Sequence, residues 1–317
     1  MPRRLVAPGP VGLLGVLGLL LVACGSGTSP ALPTATPTAP PPTNVPVATP
    51  TPGPVTVVLR AMETQAILPI YQFGWLPLAV ITSDGRLLTP GAVPAIAPGP
   101  LVPPIEGRTI TPQGLATIFA EAKALGLLSG VTDFTAGAGG GGMMVGGKLG
   151  QLQLVVDGVP YDLTGDPSRL VRCDPGARCP NPTPGTPEAF AAFWARLADV
   201  PGWLGAEAGA PTPAAPVGYA ILVGPPPAPG ITTPAPVVFP LPGSLASFGA
   251  PVLTDARLRC GSVTGEAAAL LRPALEAATS ATQWVDEPTT SATFGLTVRP
   301  ILPGDEDPCL VLTKPTQ

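Results

Sequence analysis

The chain has 317 residues, of which 45% are hydrophobic and only 11% charged, with 48 prolines and no histidine. Its 16 Lys plus Arg against 20 Asp plus Glu leave a net charge of −4, which excludes the basic footprint that nucleic-acid binding requires. The lack of histidine removes the usual general base, the Ser-His-Asp triad and His-ligated metal sites together.

In chain order, Arg3 and Arg4 precede an uncharged run of Val, Leu and Gly over residues 11–22. That run is too short for a comfortable membrane span and suits the apolar region of a signal peptide. It closes on Leu21-Val22-Ala23-Cys24, which resembles the lipobox of bacterial lipoproteins. The resemblance implies cleavage before Cys24 and a palmitate-type lipid on the new N-terminal cysteine. It also implies a place on the bacterial cell membrane, facing outside the cytoplasm. Loss of Arg3 and Arg4 would take the net charge from −4 to −6. Residues 25–54 are almost wholly Gly, Ser, Thr, Pro, Ala and Val, from which no packed core can be built. Held extended by proline, this stretch reaches about 90 Å at about 3.1 Å per residue. The organisation expected is therefore a signal peptide over 1–23, a lipidated tether over 24–54, and α+β subdomains over 55–204 and 217–317.

Strands come first in the folded part. Residues 78–88 form an apolar run around Asp84-Gly85, and residues 152–163 form another around Asp157-Gly158. Both patterns predict hairpins with tight turns. Further strands are expected over 217–223, 282–285 and 292–298.

Three helices carry start signals. Thr111-Pro112 opens the first, with Leu115, Ile118, Phe119, Ala122 and Leu125 on one face and Gly126 as its stop. Thr186-Pro187-Glu188 opens the second, whose apolar face is Phe190, Phe193, Trp194 and Leu197 and whose end is expected at Pro201-Gly202. Thr264-Gly265-Glu266 opens the third, with Leu270, Leu271, Leu275 and Ala278; Pro273 is expected to kink or split it. The Asp-Gly turns lie 73 residues apart and the Thr caps 75 and 78 apart, which suggests a hairpin-loop-helix unit used twice, with a variant third copy. The class is α+β, an antiparallel sheet with helices on one face.

Apart from Cys24, the cysteines are Cys173, Cys179, Cys260 and Cys309. Outside the cytoplasm disulfides are the default, and four cysteines allow three pairings. Asp174-Pro175-Gly176 turns the chain between Cys173 and Cys179, so these pair and Cys260 joins Cys309. A zinc site would call for close Cys-x-x-Cys pairs or histidines, and the chain has no histidine.

The Asp-Gly run at 78–88, the capped helix ending in Gly126-Leu127-Leu128, Arg259-Cys260-Gly261, Val263-Thr264-Gly265 and Pro308-Cys309 together resemble a family of uncharacterised exported bacterial lipoproteins. The resemblance covers much of residues 70–310. It implies a fold and an envelope location, and brings no activity with it.

Other motifs favour plain readings. Gly137 to Gly142 fits G-x-G-x-x-G, and Gly147-Lys148 nearly completes a phosphate-binding loop, but Leu149 stands where Ser or Thr must hold magnesium. Among the lysines, Lys123, Lys148 and Lys314, none follows a serine by three residues. Asp157, Asp162 and Asp166, and Asp305-Glu306-Asp307, lack the alternating ligand spacing of a calcium loop and read as solvated acidic faces. Arg169, Arg172 and Arg178 interleave with Asp162, Asp166 and Asp174, which points to surface pairing. Tyr71, Phe73 and Trp75 are the densest aromatic run: a partner patch if exposed, core if buried. The expectation is a non-enzymatic, lipid-anchored protein without cofactor or metal. It would bind an envelope protein, a wall polymer or a small ligand. The alternative is an envelope hydrolase using carboxylates or a Ser-Lys pair assembled only on folding.

Overall fold

The computed structural model describes residues 55–65, 69–135, 148–169, 181–227, 235–252, 255–289 and 291–313. The first strands are β1 Val57–Gln65, β2 Ala79–Thr82, β3 Arg86–Pro90, β4 Ile105–Thr109, β5 Asp133–Phe134, β6 Lys148–Val156, β7 Val159–Gly165 and β8 Thr212–Pro213. They form a single eight-stranded sheet in the order β5-β7-β6-β1-β2-β3-β4-β8, antiparallel except at the β5–β7 edge. Then come β9 Gly218–Gly224, β10 Val237–Val238, β11 Ala250–Val252, β12 Asp255–Thr264, β13 Trp284–Val285 and β14 Gly295–Ile301. Four of these make an antiparallel sheet, β11-β12-β9-β14, while β10 and β13 pair in parallel. The helices are α1 Pro69–Gln72, α2 Pro112–Ala124, α3 Pro187–Leu197, α4 Val200–Leu204, α5 Gly265–Ala277 and α6 Leu310–Thr313. The class is α+β, and among the described residues no helix is long and apolar enough to cross a membrane.

The two Asp-Gly dipeptides make different turns. Val156 faces Val159, so Asp157 and Gly158 alone close β6 onto β7 at φ 51° and 79°. Both central residues at positive φ define a type I′ turn, whose twist matches that of the strands. At the other hairpin Ile81 faces Leu87, and the Gly85 N–H donates to Thr82 O at 2.9 Å across a longer loop.

On the large sheet, strand alternation sends Leu59, Ala61, Ile81, Leu87, Leu152, Leu154 and Leu163 into one core with α2 and α3. Thr111 caps α2 by accepting from the Gly114 N–H at 3.1 Å, and Thr186 caps α3 by accepting from the Ala189 N–H at 3.3 Å. Gly126 ends α2 at φ 71°, with its N–H on Lys123 O and the Leu127 N–H on Ala122 O, each 3.0 Å. Phe190 of α3 lies so close to the sheet that a Cβ on Gly165 would fall 2.4 Å from its ring. Glycine there sets how near the helix layer can come.

Some expectations are corrected. Pro201-Gly202 does not end the second helix; it lies in the first turn of α4, which Asp199 caps by accepting from the Gly202 N–H at 2.9 Å. Pro273 does not split α5, which runs unbroken from Gly265 to Ala277. The ring of Pro273 lies on the exposed side, so the lost bond is on the solvent face while Ala268, Leu271 and Leu275 keep the helix on the sheet. Leu270, expected on the apolar face, is exposed. The helix that starts after Thr264 lacks the expected side-chain cap and follows one long strand, β12, rather than a tight hairpin, and a repeated hairpin-loop-helix unit is not shown.

The smaller sheet is buried on both faces. Tyr219, Ile221, Val223, Leu296 and Val298 pack with α5, Trp284 and Phe239 on one side. Ala220, Leu222 and Ile301 pack on the other side with Phe73, Leu312 and the Cys260–Cys309 pair. Gly53–Gln317 form one compact unit. The strands sort into sheets on either side of residues 214–217, whereas the cores cross that line. Leu101 joins the α5 side of the small sheet and Phe73 its opposite face, while Leu302 joins Val80 and Leu88 behind the large one.

Candidate functional site

The described residues concentrate charge and burial at one place, where three distant segments meet. β1 occupies the middle of the large sheet, and Leu59 and Ala61 face its helix layer. Arg60 between them therefore projects from the opposite face. On β14, Leu296 and Val298 face α5, so Arg299, register partner of Ala220, projects away from that helix. After β14 a short turn over 303–304 brings in Asp305, whose side chain is 0% exposed. Its Oδ1 takes Arg60 Nη2 at 2.6 Å and Arg299 Nη2 at 3.1 Å. Its Oδ2 accepts from the Leu302 N–H at 2.8 Å.

This carboxylate ties the large sheet to the small one. A carboxylate accepting three hydrogen bonds, two of them charge-assisted, is a strong local constraint. Arg299 is itself buried, and burial pulls its guanidinium below the usual arginine range, opposed by Asp305 and reinforced by the neighbouring Arg60 charge. Even so, arginine stays protonated throughout the working pH range. Two guanidinium groups thus share one carboxylate oxygen. The Nε atoms of both Arg60 and Arg299 are buried and have no hydrogen-bond partner among the described residues.

Of the acidic triplet, Glu306 and Asp307 are exposed, as expected of a solvated acidic face, and Asp305 is the exception. Asp305 is wholly enclosed, and Asp307 Oδ1 accepts from Ser262 Oγ at 2.8 Å and from the Cys309 N–H at 3.1 Å. A signal was present in the sequence: Arg60 and Arg299 each stand alone inside apolar strand segments, where a buried cation demands a carboxylate.

The expected site residues fare differently. Cys24 lies outside the described residues, as do Cys173 and Cys179, along with Arg172, Arg178 and the glycine stretch 137–142. Cys260 and Cys309 are bonded to one another, joining β12 to the segment before α6. The aromatic run divides. Phe73 is wholly buried in the core behind the small sheet, so it is removed from any partner patch; Tyr71 is exposed and Trp75 half-buried. Helical spacing explains this, because Ile70 in the short helix α1 and Phe73 just after it stand three apart and pack inward, while Tyr71 faces outward. Lys148 opens strand β6 rather than a helix, and its Nζ pairs with Glu63 at 2.8 Å. Arg169 pairs with Asp166 and Glu188, as expected for a surface cation. Asp133 on β5 is held below the usual carboxylate range by the Thr135 hydroxyl and backbone N–H. Among the described residues no group of three or more Cys, Asp or Glu is placed to hold a metal ion.

No family model, no curated protein and no solved structure matches the chain.

Proposed function

We propose that this chain is a lipid-anchored extracytoplasmic protein of the bacterial cell envelope, serving a binding or structural role rather than a catalytic one. The reading rests on the order of parts: Leu21-Val22-Ala23-Cys24, then the proline- and threonine-rich stretch 25–54, then a folded body. The observation from the body that supports it is the Cys260–Cys309 bond, since disulfides persist in oxidising compartments and are rare in the cytosol. The same argument extends to a second bond between Cys173 and Cys179. The polar side chains that converge, Arg60, Arg299 and Asp305, are engaged in joining two sheets, which suits a scaffold better than an acid-base pair. Membership of the uncharacterised exported lipoprotein family is part of the same proposal.

The lipid is the contact with the membrane. The body then meets an envelope protein, a wall polymer or a small ligand. In-cell crosslinking followed by pull-down and mass spectrometry tests this, with Cys24→Ser as control. One abundant partner that is lost with the anchor is the expected result. Equal capture by the anchored and unanchored forms would contradict a role that depends on the membrane.

A further inference from the structure

The connection from β3 to β4 breaks the usual rule for surface loops. From Pro90 to Pro104 it carries no polar side chain, and residues 92–97, Ala-Val-Pro-Ala-Ile-Ala, are exposed one after another. Val93 is 55% exposed and Ile96 65%. Consecutive apolar residues held in water add nothing to a core, and mark a surface made for contact. The segment is pinned at both legs. The Gly91 N–H donates to Pro104 O at 2.8 Å, the Leu101 N–H to Ala278 O at 3.0 Å, and the Ser280 N–H to Gly99 O at 2.9 Å. Leu101 is buried in the core of the small sheet. Pro94 fixes its own φ and holds Val93 extended, which lowers the cost of ordering the tip on binding. The chain enters β1 at the other end of the large sheet, where Val57 faces Thr82, so attachment through the N-terminal side does not compete for the loop.

Composition narrows what covers this tip. A wall polymer is held by aromatic rings and side-chain hydrogen bonds, and residues 90–104 offer neither. A bilayer would take Val93 and Ile96 but would strand the carbonyls of this irregular backbone, which hydrocarbon cannot satisfy. Within the tip, only the Pro94 carbonyl has a partner among the described residues, the Ile96 N–H at 2.9 Å. A protein groove supplies both halves: apolar walls for Val, Ile and Pro, and Trp or Tyr donors for the carbonyls, as in the recognition of proline-rich segments. No charged side chain lies between Arg86 and Glu106, so the matching groove is uncharged. We propose that residues 92–97 are a docking segment, with Val93 and Ile96 as its anchors, for an envelope protein that presents an uncharged groove lined by Trp and Tyr. The inference rests on the binding reading above and does not depend on lipidation of Cys24.

The test uses the full chain in cells. The photo-crosslinking residue p-benzoylphenylalanine replaces Ala95 in one form and, as a control, Val159 in another, which is 49% exposed on the β6–β7 hairpin. Illumination is expected to join the Ala95 form to a single protein through a peptide that contains or adjoins Trp and Tyr, and the Val159 form to none. Adding Ile96→Asp or Val93→Asp should lower the yield about tenfold or more. Neither should change the Tm of the purified chain, because both side chains lie outside the cores. Ile96→Val should keep most of the yield. An adduct that persists in Ile96→Asp, that forms equally at Val159, or that joins lipid or glycan in place of protein overturns the proposal. A partner caught by general crosslinking but not from Ala95 overturns the loop and leaves the binding reading standing; capture by neither route counts against both.

Discussion

The two sheets solve the same burial problem by different means. The large sheet draws its helix-side core almost wholly from residues 59–204, with α2 and α3 set down on it by side-chain caps and with aromatic rings stacked along α3. Its contacts are apolar, and its pattern repeats every two residues in the strands and every three to four in the helices. The small sheet is completed from outside its own stretch of chain, by Leu101 and Phe73, and it is stapled by Cys260–Cys309. It also carries buried polar atoms without a hydrogen-bond partner among the described residues: Thr279 Oγ1, Trp284 Nε1 and Arg299 Nε. One region is held by a repeating local code, the other by a few long-range contacts that must all be present. The second kind of construction is the more vulnerable to single changes.

The largest effect is expected at the carboxylate that joins the two. Asp305→Asn leaves two buried guanidinium groups without their counter-charge and should cost about 3–5 kcal/mol in denaturant unfolding. A loss under about 1 kcal/mol would show that the sheets hold together without it. Removing the staple comes next. The Cys260→Ser, Cys309→Ser pair opens a loop whose ends are 49 residues apart, worth about 4 kcal/mol by loop entropy and less if strain offsets it. Hydrogen exchange should then rise in β9, β12 and β14 and stay low in β1 and β6; equal loss in both sheets would break the comparison.

Smaller changes sharpen it. Thr111→Ala removes a capping acceptor and should cost about 1 kcal/mol. Thr264→Ala, at the start of α5, should cost much less, because Thr264 makes no side-chain capping bond. Tyr219→Phe should cost no more than about 1 kcal/mol, since it removes a buried hydroxyl whose contact with the Arg272 side chain is too poorly aligned for a strong hydrogen bond. Burial raises the Tyr219 phenol above its ordinary value of 10.0, with nearby Arg272 pulling it back and Glu276 pushing it further up. A raised pKa contributes stability that is present below pH 10 and is lost as pH rises toward the folded value. Alkaline titration of unfolding should show that loss in the unaltered chain and not in Tyr219→Phe.

What the sequence made legible follows the same division. The α3 face, Phe190, Phe193, Trp194 and Leu197, is buried as its spacing requires, and the stop at Gly126-Leu127 is formed as its residues require. These features are local, so neighbouring residues suffice to specify them. β1 and β12 escaped sequence reading although β1 is central and β12 spans ten residues. Each carries arginine among its apolar residues and so looks half-solvated. Arg60 meets Asp305 from 245 positions away, and Arg259 donates to Phe248 O, Ser247 O and Gly249 O. Only the folded chain reveals those acceptors. The same reason hid the Arg60–Asp305–Arg299 cluster, whose three members lie in strands and a turn that no local pattern connects.

The central claim is the anchor at Cys24, and metabolic labelling tests it most directly. Cells expressing the full chain are fed an alkyne-tagged palmitate and fractionated, beside cells expressing Cys24→Ser. The account predicts label on the membrane-bound protein, with an N-terminal peptide beginning at lipidated Cys24, and neither label nor membrane retention for Cys24→Ser. Unlabelled protein, or membrane retention unchanged by Cys24→Ser, would contradict it.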